Sequence, residues 1–368
     1  MNVELDAQSS HEAMGYVNDD VCMVEPGLRS VHAGAMPSKS TLYDVAALSG
    51  VSARTVSRVV NEESGFGEAT RLRVLEAIEK LEYRPNRLAR ALITRRTGTV
   101  GLVVPQMVDP FFAELVDGVQ AAAKASGRTT IIAKHDDDLA EFDSILETFS
   151  AFAVDGAIVY SPKGERATLF KHAMRGLPTV ALGMAISGVN LGSVLWDISR
   201  AAELGIEHLV RIGRTKLVML SHTGAANSLL IPRRETAFRH TLQSAELPFS
   251  EDRVVRKDPT IDGGRAAMEA VLAAGTPVDG VFAYNDAMAI GALQALAIAG
   301  LRVPEDVTLV GFNDIALCSA LVPALTSVRL DRPAIGREAV ALLDRMRSTP
   351  NHQQPVYVDA ELIIRQSA

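Results

Sequence analysis

The sequence predicts a small all-α headpiece joined to an α/β core of two doubly wound parallel-sheet lobes. Residues 41–86 contain three short helical patterns separated by glycine and serine. Beyond residue 98, short β-branched runs alternate with amphipathic helical stretches, as in parallel sheets built from βαβ units. The alternation restarts near residue 216, which indicates two sheets with a cleft between them. A chain of 368 residues is also too long for one ordinary core.

The first 39 residues show no sustained hydrophobic period and are predicted to be a disordered extension. Their beginning carries acids rather than a basic start followed by an apolar run, so a secretory signal is not expected. The extension is either a real tail or the result of a translation start that lies near Met36; the sequence is compatible with both.

Three helices are predicted for the headpiece, residues 40–86. A capping box at Thr41 and Asp44 starts the first helix, and Gly50 ends it. Ser52 can cap the second helix, and a third follows after a glycine-containing loop. The inward face of the third helix is predicted to carry Leu72, Leu75, Ile78 and Leu81.

The core is predicted from its alternating pattern. Strands are expected at residues 99–104, 129–133, 156–160, 179–182, 216–221, 281–284 and 307–312. Helices are expected near residues 111–126, 139–152, 165–175, 199–212, 233–245, 263–274, 286–299 and 334–347. The stretch from Leu325 to Ile364 is expected to carry strands on both sides of the last of these helices. The first lobe is predicted to comprise residues 98–197 and 331–358, and the second residues 198–330 and the carboxyl end.

Charge is distributed unevenly along the chain. The net charge is −7 overall, but residues 37–97 carry eleven Lys and Arg against seven acids, a net charge of +4. A basic block attached to an acidic body indicates that one part of the chain contacts phosphate. No apolar run approaches the roughly 18 to 20 residues that span a bilayer. The cysteines, Cys22 and Cys318, provide neither a disulfide framework nor metal-ligand spacing.

The second helix has the pattern of a DNA-recognition helix. A tight glycine turn between two helices lets the second project into a major groove. Its valines repeat at helical spacing and face inward, while Arg54 and Arg58 lie on the opposite side, where they can contact guanine. Ala53 offers an apolar contact, and the short donors suited to phosphate or base edges are Ser52, Thr55 and Ser57. A solvated helix is the plainer alternative, but the turn, caps and local basic excess coincide and favour DNA binding.

Several stretches resemble the lactose-repressor (LacI/GalR) family. The headpiece resemblance lies in Leu42-Tyr43-Asp44-Val45-Ala46, Gly50-Val51-Ser52 and Thr55-Val56-Ser57-Arg58-Val59-Val60-Asn61, and that of the hinge in residues 83–92. The core resemblance lies in residues 100–105, 109–115, 205–209, 285–291 and 310–314. It implies a core like that of periplasmic binding proteins and a transcription regulator, expected to be a repressor, in the cytoplasm and at the nucleoid when operator-bound.

The resemblance also implies roles in DNA binding. Ala53, Arg54 and Arg58 correspond to base-reading positions, and Asn61 closes the same motif. Residues 87–97 correspond to a hinge that folds on the operator. Leu92, with Ala89 one turn earlier, corresponds to a leucine that wedges into the minor groove at the dyad. This mechanism needs two protomers on a pseudo-palindromic operator. A homodimer is expected, because no leucine-repeat helix for tetramers follows the core.

Effector contacts are implied in the cleft between the lobes. They correspond to Asp109, Phe111, Arg234, Asn285, Asp286, Asn313 and Arg332. Asn313 stands where many members have aspartate, and Pro259 and Arg332 replace an aromatic platform. Arg234 and Arg332 together therefore suggest a sugar or sugar derivative with negative charge, such as a sugar acid or a sugar phosphate. Two of these residues also have a simpler interpretation. Phe111 can pack a helix start, and Asp286 can cap the helix that follows it.

Other functions are less well supported. The eight histidines have no ligand spacing, and no P-loop, Gly-x-Ser-x-Gly motif or dinucleotide fingerprint is present, so neither an enzyme nor a metal or cofactor is expected. A two-lobed sugar-binding receptor would share the core but lack the headpiece. A regulator with a protein coeffector would keep the headpiece but show a weak cleft.

Overall fold

The computed structural model describes residues 40–61, 63–84, 96–135, 138–160, 166–224, 231–351 and 353–368. The chain separates into two compact units, Met1–Asn86 and Arg87–Ala368. The predicted amino-terminal extension and the hinge residues Ala89 and Leu92 lie outside the described residues.

The headpiece contains three helices, α1 (Leu42–Ser49), α2 (Ala53–Val60) and α3 (Glu68–Lys80). The Thr41 side chain accepts from the Asp44 backbone N–H while the Asp44 carboxylate accepts from the Thr41 N–H, which completes the capping box. Gly50 ends α1 with a φ of 66°, a left-handed conformation that favours glycine. The turn is therefore dictated locally by the sequence.

The predicted inward face of α3 is correct for Ile78 and Leu81, which pack against the headpiece core, and wrong for Leu72 and Leu75. Leu72 is 52% exposed and Leu75 40% exposed, while Val74 and Ala77 are buried. Val74 and Ala77 pack with the buried Val45, Ala46, Val56 and Val59 of α1 and α2. Rotating the inward stripe to positions 74, 77, 78 and 81 preserves helical spacing, so periodicity alone could not choose between the two stripes.

The elements of the core alternate as predicted. The first series is β1 (Thr99–Val104), α4 (Pro110–Ala125), β2 (Thr129–Lys134), α5 (Leu139–Ala151), β3 (Gly156–Tyr160), α6 (Arg166–Met174), β4 (Thr179–Leu182) and β5 (Leu191–Leu195). The second series is α7 (Ile198–Arg211), β6 (Leu217–His222), α8 (Ile231–Ser244), β7 (Val254–Lys257), α9 (Ile261–Ala273), β8 (Gly280–Ala283), α10 (Asp286–Ile298), β9 (Thr308–Asn313) and β10 (Thr326–Leu330). The chain closes with α11 (Arg332–Ser348), β11 (Val356–Tyr357) and β12 (Ala360–Ile363).

Two sheets of six strands form the described part of the core. Their strand orders are β11-β5-β4-β3-β1-β2 and β12-β10-β9-β8-β6-β7. Neighbouring strands pair in parallel, except that β12 runs antiparallel to β10. The predicted fold class, a helical headpiece with two doubly wound lobes, is confirmed.

Three crossings connect the two lobes within the described chain: from β5 to α7, from β10 to α11, and from β11 to β12. Lobe 1 contains the first series with α11 and β11, and lobe 2 contains the second series with β12. Since α11 packs on α4, the carboxyl-terminal part of the chain completes lobe 1. None of the helices in the described ranges is long and apolar enough to cross a membrane.

Candidate nucleic-acid interface and interlobe ligand site

The outward face of α2 presents the residues predicted to meet DNA. Val56 and Val59 are buried, which turns Arg54 and Ser52 outward, and Ala53 is half-buried beside them. Ser52 Oγ accepts from the Thr55 backbone N–H at 3.1 Å and lies 2.9 Å from Thr55 Oγ1. The Ser52 hydroxyl therefore caps the helix, and both hydroxyls lie at its amino end.

Arg58 is turned toward the loop between α2 and α3. Its Nη2 donates to the Ser64 carbonyl oxygen, and its Nε lies 3.7 Å from Glu63 Oε2. Gly65, at a φ of 102°, leaves the space that the guanidinium occupies, because a Cβ there would collide with it. To contact a base, the Arg58 side chain would have to rotate away from Glu63 and Ser64.

Asn61 and Tyr43 are two further polar side chains of the headpiece. Asn61 follows the last residue of α2, and its Nδ2 donates to Ser57 Oγ at 3.4 Å. Tyr43, on α1, is 76% exposed and was not predicted as a site residue. An exposed aromatic phenol at the start of a helix-turn-helix could have been noted from the sequence, because phenol groups also donate to phosphate.

The second site lies where the strand order of lobe 2 reverses. In doubly wound sheets, ligands bind outside the carboxyl ends of the strands at this switch point. In lobe 2 the reversal falls between β6 and β8, whose ends carry His222 and Tyr284. The ring centroids of His222 and Tyr284 are 5.4 Å apart in an edge-to-face arrangement.

Arg234 lies between two aromatic rings at this position. Its Cζ atom is 4.3 Å from the centroid of Tyr284 and 4.2 Å from that of Phe312. The residue is only 5% exposed, yet its Nε and Nη1 atoms have no hydrogen-bond partner among the described residues. No carboxylate of the described residues pairs with it. A buried guanidinium without a counter-charge is costly, so an anionic ligand would be stabilised here.

His222 is held in its neutral form beside this cation. Its Nδ1 accepts from the Gly224 backbone N–H at 2.9 Å, so the proton of the neutral ring lies on Nε2. Burial lowers the pKa of His222, and the positive charge of Arg234 lowers it further, against the opposing effect of Asp258. His222 can therefore donate one hydrogen bond without adding charge to the site.

The predicted contacts Asn285 and Asp286 have structural partners instead. Asn285 is the N-cap of α10: its Oδ1 accepts from the Met288 N–H and its Nδ2 donates to the Pro259 carbonyl oxygen at 3.0 Å. Asp286 lies behind it and is fully buried. Its carboxylate accepts from the Ile315 N–H at 2.9 Å and from Ser327 Oγ at 2.5 Å.

This arrangement corrects the role expected for Asp286. Burial raises the pKa of Asp286 to about 7, with its hydrogen bonds opposing the shift. The same burial, with the nearby carboxylates, raises the pKa of the Cys318 thiol. The carboxyl group therefore fastens the segment after β9 to α10 and has no free oxygen to offer an effector. It is Asn285, not Asp286, that caps the helix.

Asn313 remains available at the end of β9. Its φ of 106° is unusual for a non-glycine residue. The backbone is fixed in part by Arg332, whose Nη1 donates to the Asn313 carbonyl oxygen. The side-chain amide of Asn313 has no hydrogen-bond partner among the described residues and is thus free to bind a ligand.

Lobe 1 contributes Asp109 and Phe111 near the start of α4. Asp109 is the N-cap, and its carboxylate accepts from the Phe111 N–H at 2.9 Å. Burial raises the pKa of Asp109, as does the neighbouring Glu114, while Arg332 and the Phe111 N–H lower it. Phe111 is 4% exposed and packs against Phe112 and Tyr160. Its packing role at the helix start is therefore clear.

Arg332 does not provide the second free cation expected for an anionic effector. Its Nη2 lies 2.7 Å from Glu114 Oε2 and donates to the Asp314 carbonyl oxygen at 2.8 Å. Its Nη1 donates to the carbonyl oxygens of Asn313 and Leu330. The terminal nitrogens thus make three hydrogen bonds to backbone carbonyl oxygens, and the Glu114 carboxylate balances the charge. The missed members of the site are His222, Tyr284 and Phe312, which their positions at strand ends could have indicated.

Comparison with known proteins relates both units to regulators. Residues 41–86 match the family model of bacterial regulatory proteins, lacI family, and residues 206–368 match the periplasmic binding protein-like domain. The ribose operon repressor of Escherichia coli (strain K12) is 31% identical over 318 residues, which cover 86% of this chain and 95% of the relative. A solved complex of the transcriptional regulator CelR with cellobiose is 30% identical, with a TM-score of 0.65, and covers 89% of this chain and all of that one. The lac repressor dimer bound to operator and the anti-inducer ONPF is similar in fold, at 24% identity and a TM-score of 0.76, over 90% of this chain and 99% of that one.

Proposed function

Since the chain belongs to the lacI family of bacterial regulatory proteins, we propose that it is a repressor whose operator affinity is controlled by a small effector bound between the core lobes. The coarser function follows from the family itself: the chain is a DNA-binding transcription regulator and not an enzyme. A free-standing sugar receptor is not supported, because residues 41–86 match the DNA-binding headpiece.

The outward face of α2 supports sequence-specific DNA binding by the headpiece. Arg54 is exposed, and Arg58 can reach the same face once it leaves the loop that now binds it. The same end or side of the helix carries Ala53, Thr55 and Ser57. Its two ends carry Ser52 and Asn61. Together they would read a half-site of a pseudo-palindromic operator in the major groove. Ala89 and Leu92 would act in the adjacent minor groove at the dyad.

A homodimer is part of this proposal, because a pseudo-palindrome presents two half-sites. Lobe 2 carries exposed apolar side chains that a second copy would cover: Ile261, Ile298, Leu317 and Val322. Val322 is 96% exposed and Ile298 78% exposed, which is costly for a monomer in water. The lac repressor, similar in fold, is a dimer on its operator.

We propose that the effector is a sugar derivative that carries a carboxylate. The observation that carries this proposal is Arg234, a buried guanidinium that has unpartnered N–H groups and no acidic partner within the described part of the chain. Asn313 would contribute a neutral amide to the same ligand, and Asp109 would face it from lobe 1. Arg332 does not attract an anionic ligand in the same way, because Glu114 already balances its charge. A single free cation fits a monoanionic sugar acid better than a sugar phosphate.

A neutral sugar is the second candidate. The solved CelR complex, 30% identical to this chain, contains cellobiose. Arginine can also donate paired hydrogen bonds to hydroxyl groups. The two candidates differ in whether the ligand must neutralise Arg234.

Calorimetry distinguishes the two candidates. We expect glucuronate or galacturonate to bind the full-length chain, and glucose, galactose and cellobiose to bind at least tenfold more weakly, because a hydrogen bond to a charged group contributes about 1.5–3 kcal/mol. Arg234→Met keeps an unbranched chain between the two rings but removes the charge, and it should abolish uronate binding. Arg233→Met, one residue earlier on the same helix and exposed, is the matched control. Binding of neutral sugars alone would contradict the charged effector.

A further inference from the structure

The two helices that frame lobe 1 beside the cleft are locked together by glycines. Gly118 of α4 lies so close to α11 that a Cβ on it would be 2.6 Å from the Arg332 carbonyl oxygen. A Cβ on Gly336 of α11 would in turn collide with the backbone of Gly118. The start of α11 therefore cannot move relative to α4 without separating the two backbones.

From this rigid pair, Glu114 reaches across to lobe 2. It lies one turn before Gly118 on α4 and is half-buried. Its Oε1 accepts from the Ala316 backbone N–H of lobe 2 at 2.8 Å, and its Oε2 lies 2.7 Å from Arg332 Nη2. One carboxylate thus contacts the segment after β9 directly and also orients the arginine that contacts it.

Arg332 makes the second half of the connection. It stands where the chain crosses from β10 of lobe 2 to α11 of lobe 1, and its side chain is 9% exposed. Its terminal nitrogens donate to the carbonyl oxygens of Asn313 and Asp314 in lobe 2. A cation so buried and so fully bonded depends on its carboxylate partner, because loss of that partner would leave its charge unbalanced.

The segment that receives these contacts, residues 313–316, is also fixed within lobe 2. Asp286 accepts from the Ile315 N–H, and Ser327 Oγ accepts from the Asp314 N–H at 3.0 Å. Arg329 and Arg365 bind the Asp314 carboxylate at 2.8 and 2.6 Å. Because the segment is fastened on both sides, a displacement of one lobe must be transmitted to the other or must break the contacts of Glu114.

We propose that Glu114 is a positioning residue: with Arg332 it forms an interlobe clasp that sets the relative orientation of the lobes and fixes the backbone of Asn313. The clasp connects the proposed effector site in lobe 2 to lobe 1, which follows the hinge in the chain. The existence of the clasp depends only on the contacts between the lobes. The part of the clasp in the effector response rests on the proposed function, so its existence and its part in the response can fail separately.

The single tryptophan of the chain provides a reporter for the clasp. Trp196 lies on the crossing from β5 to α7, is 4% exposed, and stacks on Tyr160 with a centroid distance of 6.4 Å. If the lobes move apart about their crossings, the indole gains access to solvent. Acrylamide quenching of tryptophan fluorescence in the full-length chain, without effector, measures this access.

Glu114→Gln keeps an acceptor for the Ala316 N–H but removes the charge that Arg332 needs. We expect the quenching constant to rise about twofold or more, because weakening the clasp populates separated lobes, and to rise further in Glu114→Ala. Glu147→Gln is the matched control: Glu147 lies on α5 of the same lobe, and its substitution removes an exposed ion pair with Lys171 of α6. Circular dichroism of each variant checks that the fold is retained. Equal quenching in Glu114→Gln, Glu147→Gln and the unaltered chain would overturn the clasp.

Hydrogen exchange in the unaltered chain provides a test that needs no variant. Among the described residues, the Ala316 N–H donates only to Glu114, whereas the Ile315 N–H donates to Asp286 within lobe 2. We expect both amides to be protected to a similar degree if the clasp persists in solution. Rapid exchange at Ala316 beside a protected Ile315 would show that the clasp does not form.

Discussion

Single residues decide the chemistry of the two sites. Arg234 and Arg332 are both buried arginines beside the cleft, and the sequence gives no reason to distinguish them. The structure distinguishes them by their partners: Glu114 balances Arg332, whereas aromatic rings enclose Arg234 and leave nitrogens unbonded. Partners so distant in the chain cannot be read from local patterns, so this part of the site was not predictable.

Asn285 and Asp286 illustrate the same limit. Both are short polar residues before a helix, and either could cap it. In the structure Asn285 is the cap, while Asp286 turns into lobe 2 and meets residues about 30 to 40 positions later in the chain. The sequence predicted the start of the helix correctly. It could not show which of the two side chains caps the helix and which turns into lobe 2.

Asp286 predicts a particular dependence of stability on pH. Its pKa, about 7 in the folded chain, is far above the value of 3.8 expected when unfolded, so the folded state binds the proton more tightly. The contribution of this carboxyl group to the free energy of unfolding is greatest below pH 4 and falls as the pH rises toward 7, by at most about 4 kcal/mol. Asp286→Asn should remove this decline, although it also removes an acceptor.

Urea unfolding of the full-length chain between pH 4 and pH 8 checks this prediction. The quantity compared is the slope of unfolding free energy against pH, which other titrating groups affect equally in all variants. Asp262→Asn, at a side chain 87% exposed on α9, is the matched control. Identical slopes in Asp286→Asn and the unaltered chain would show that Asp286 is ionised when folded.

At the scale of elements, alternation predicted most of the core but missed two strands. The unpredicted β5, Leu-Gly-Ser-Val-Leu, contains residues that favour loops. Its Gly192 lies under α11, where a Cβ would be 3.0 Å from Leu342 Cδ2. The other, β7, is a four-residue edge strand. Both depend on tertiary packing, which overrides weak strand propensity.

The crossing of α4 and α11 yields a prediction about packing. Gly336→Ala places a methyl group against the backbone of Gly118, and overpacking of this kind costs about 1–3 kcal/mol. Arg337→Ala, at the next and exposed position of the same helix, should change stability by less than about 0.5 kcal/mol. Urea unfolding measures both variants. If Gly336→Ala is as stable as Arg337→Ala, the helices are not held at the separation described.

At the scale of the whole molecule, the two units divide the work. The headpiece carries the outward arginines, and the block of residues 37–97, which also includes the hinge, carries the basic excess. The core carries the two sheets and the buried Arg234. Family resemblance in the sequence predicted this division, and each of the two family models matches within one of the two units. The sequence did not identify the effector, nor the contacts that link its proposed site to lobe 1. Both depend on side chains brought together from distant segments.

The central claim, that α2 reads a specific operator, is tested most directly by fluorescence anisotropy. A duplex selected from random sequences by the full-length chain is compared with a scrambled duplex, for the unaltered chain, Arg58→Ala and the control Arg71→Ala on α3. We expect a pseudo-palindromic selected site, and a loss of about 1–3 kcal/mol in Arg58→Ala on that site alone. Arg71→Ala should keep the preference for the selected site. An equal loss on the selected and scrambled duplexes, or no preference for either by the unaltered chain, would contradict the account.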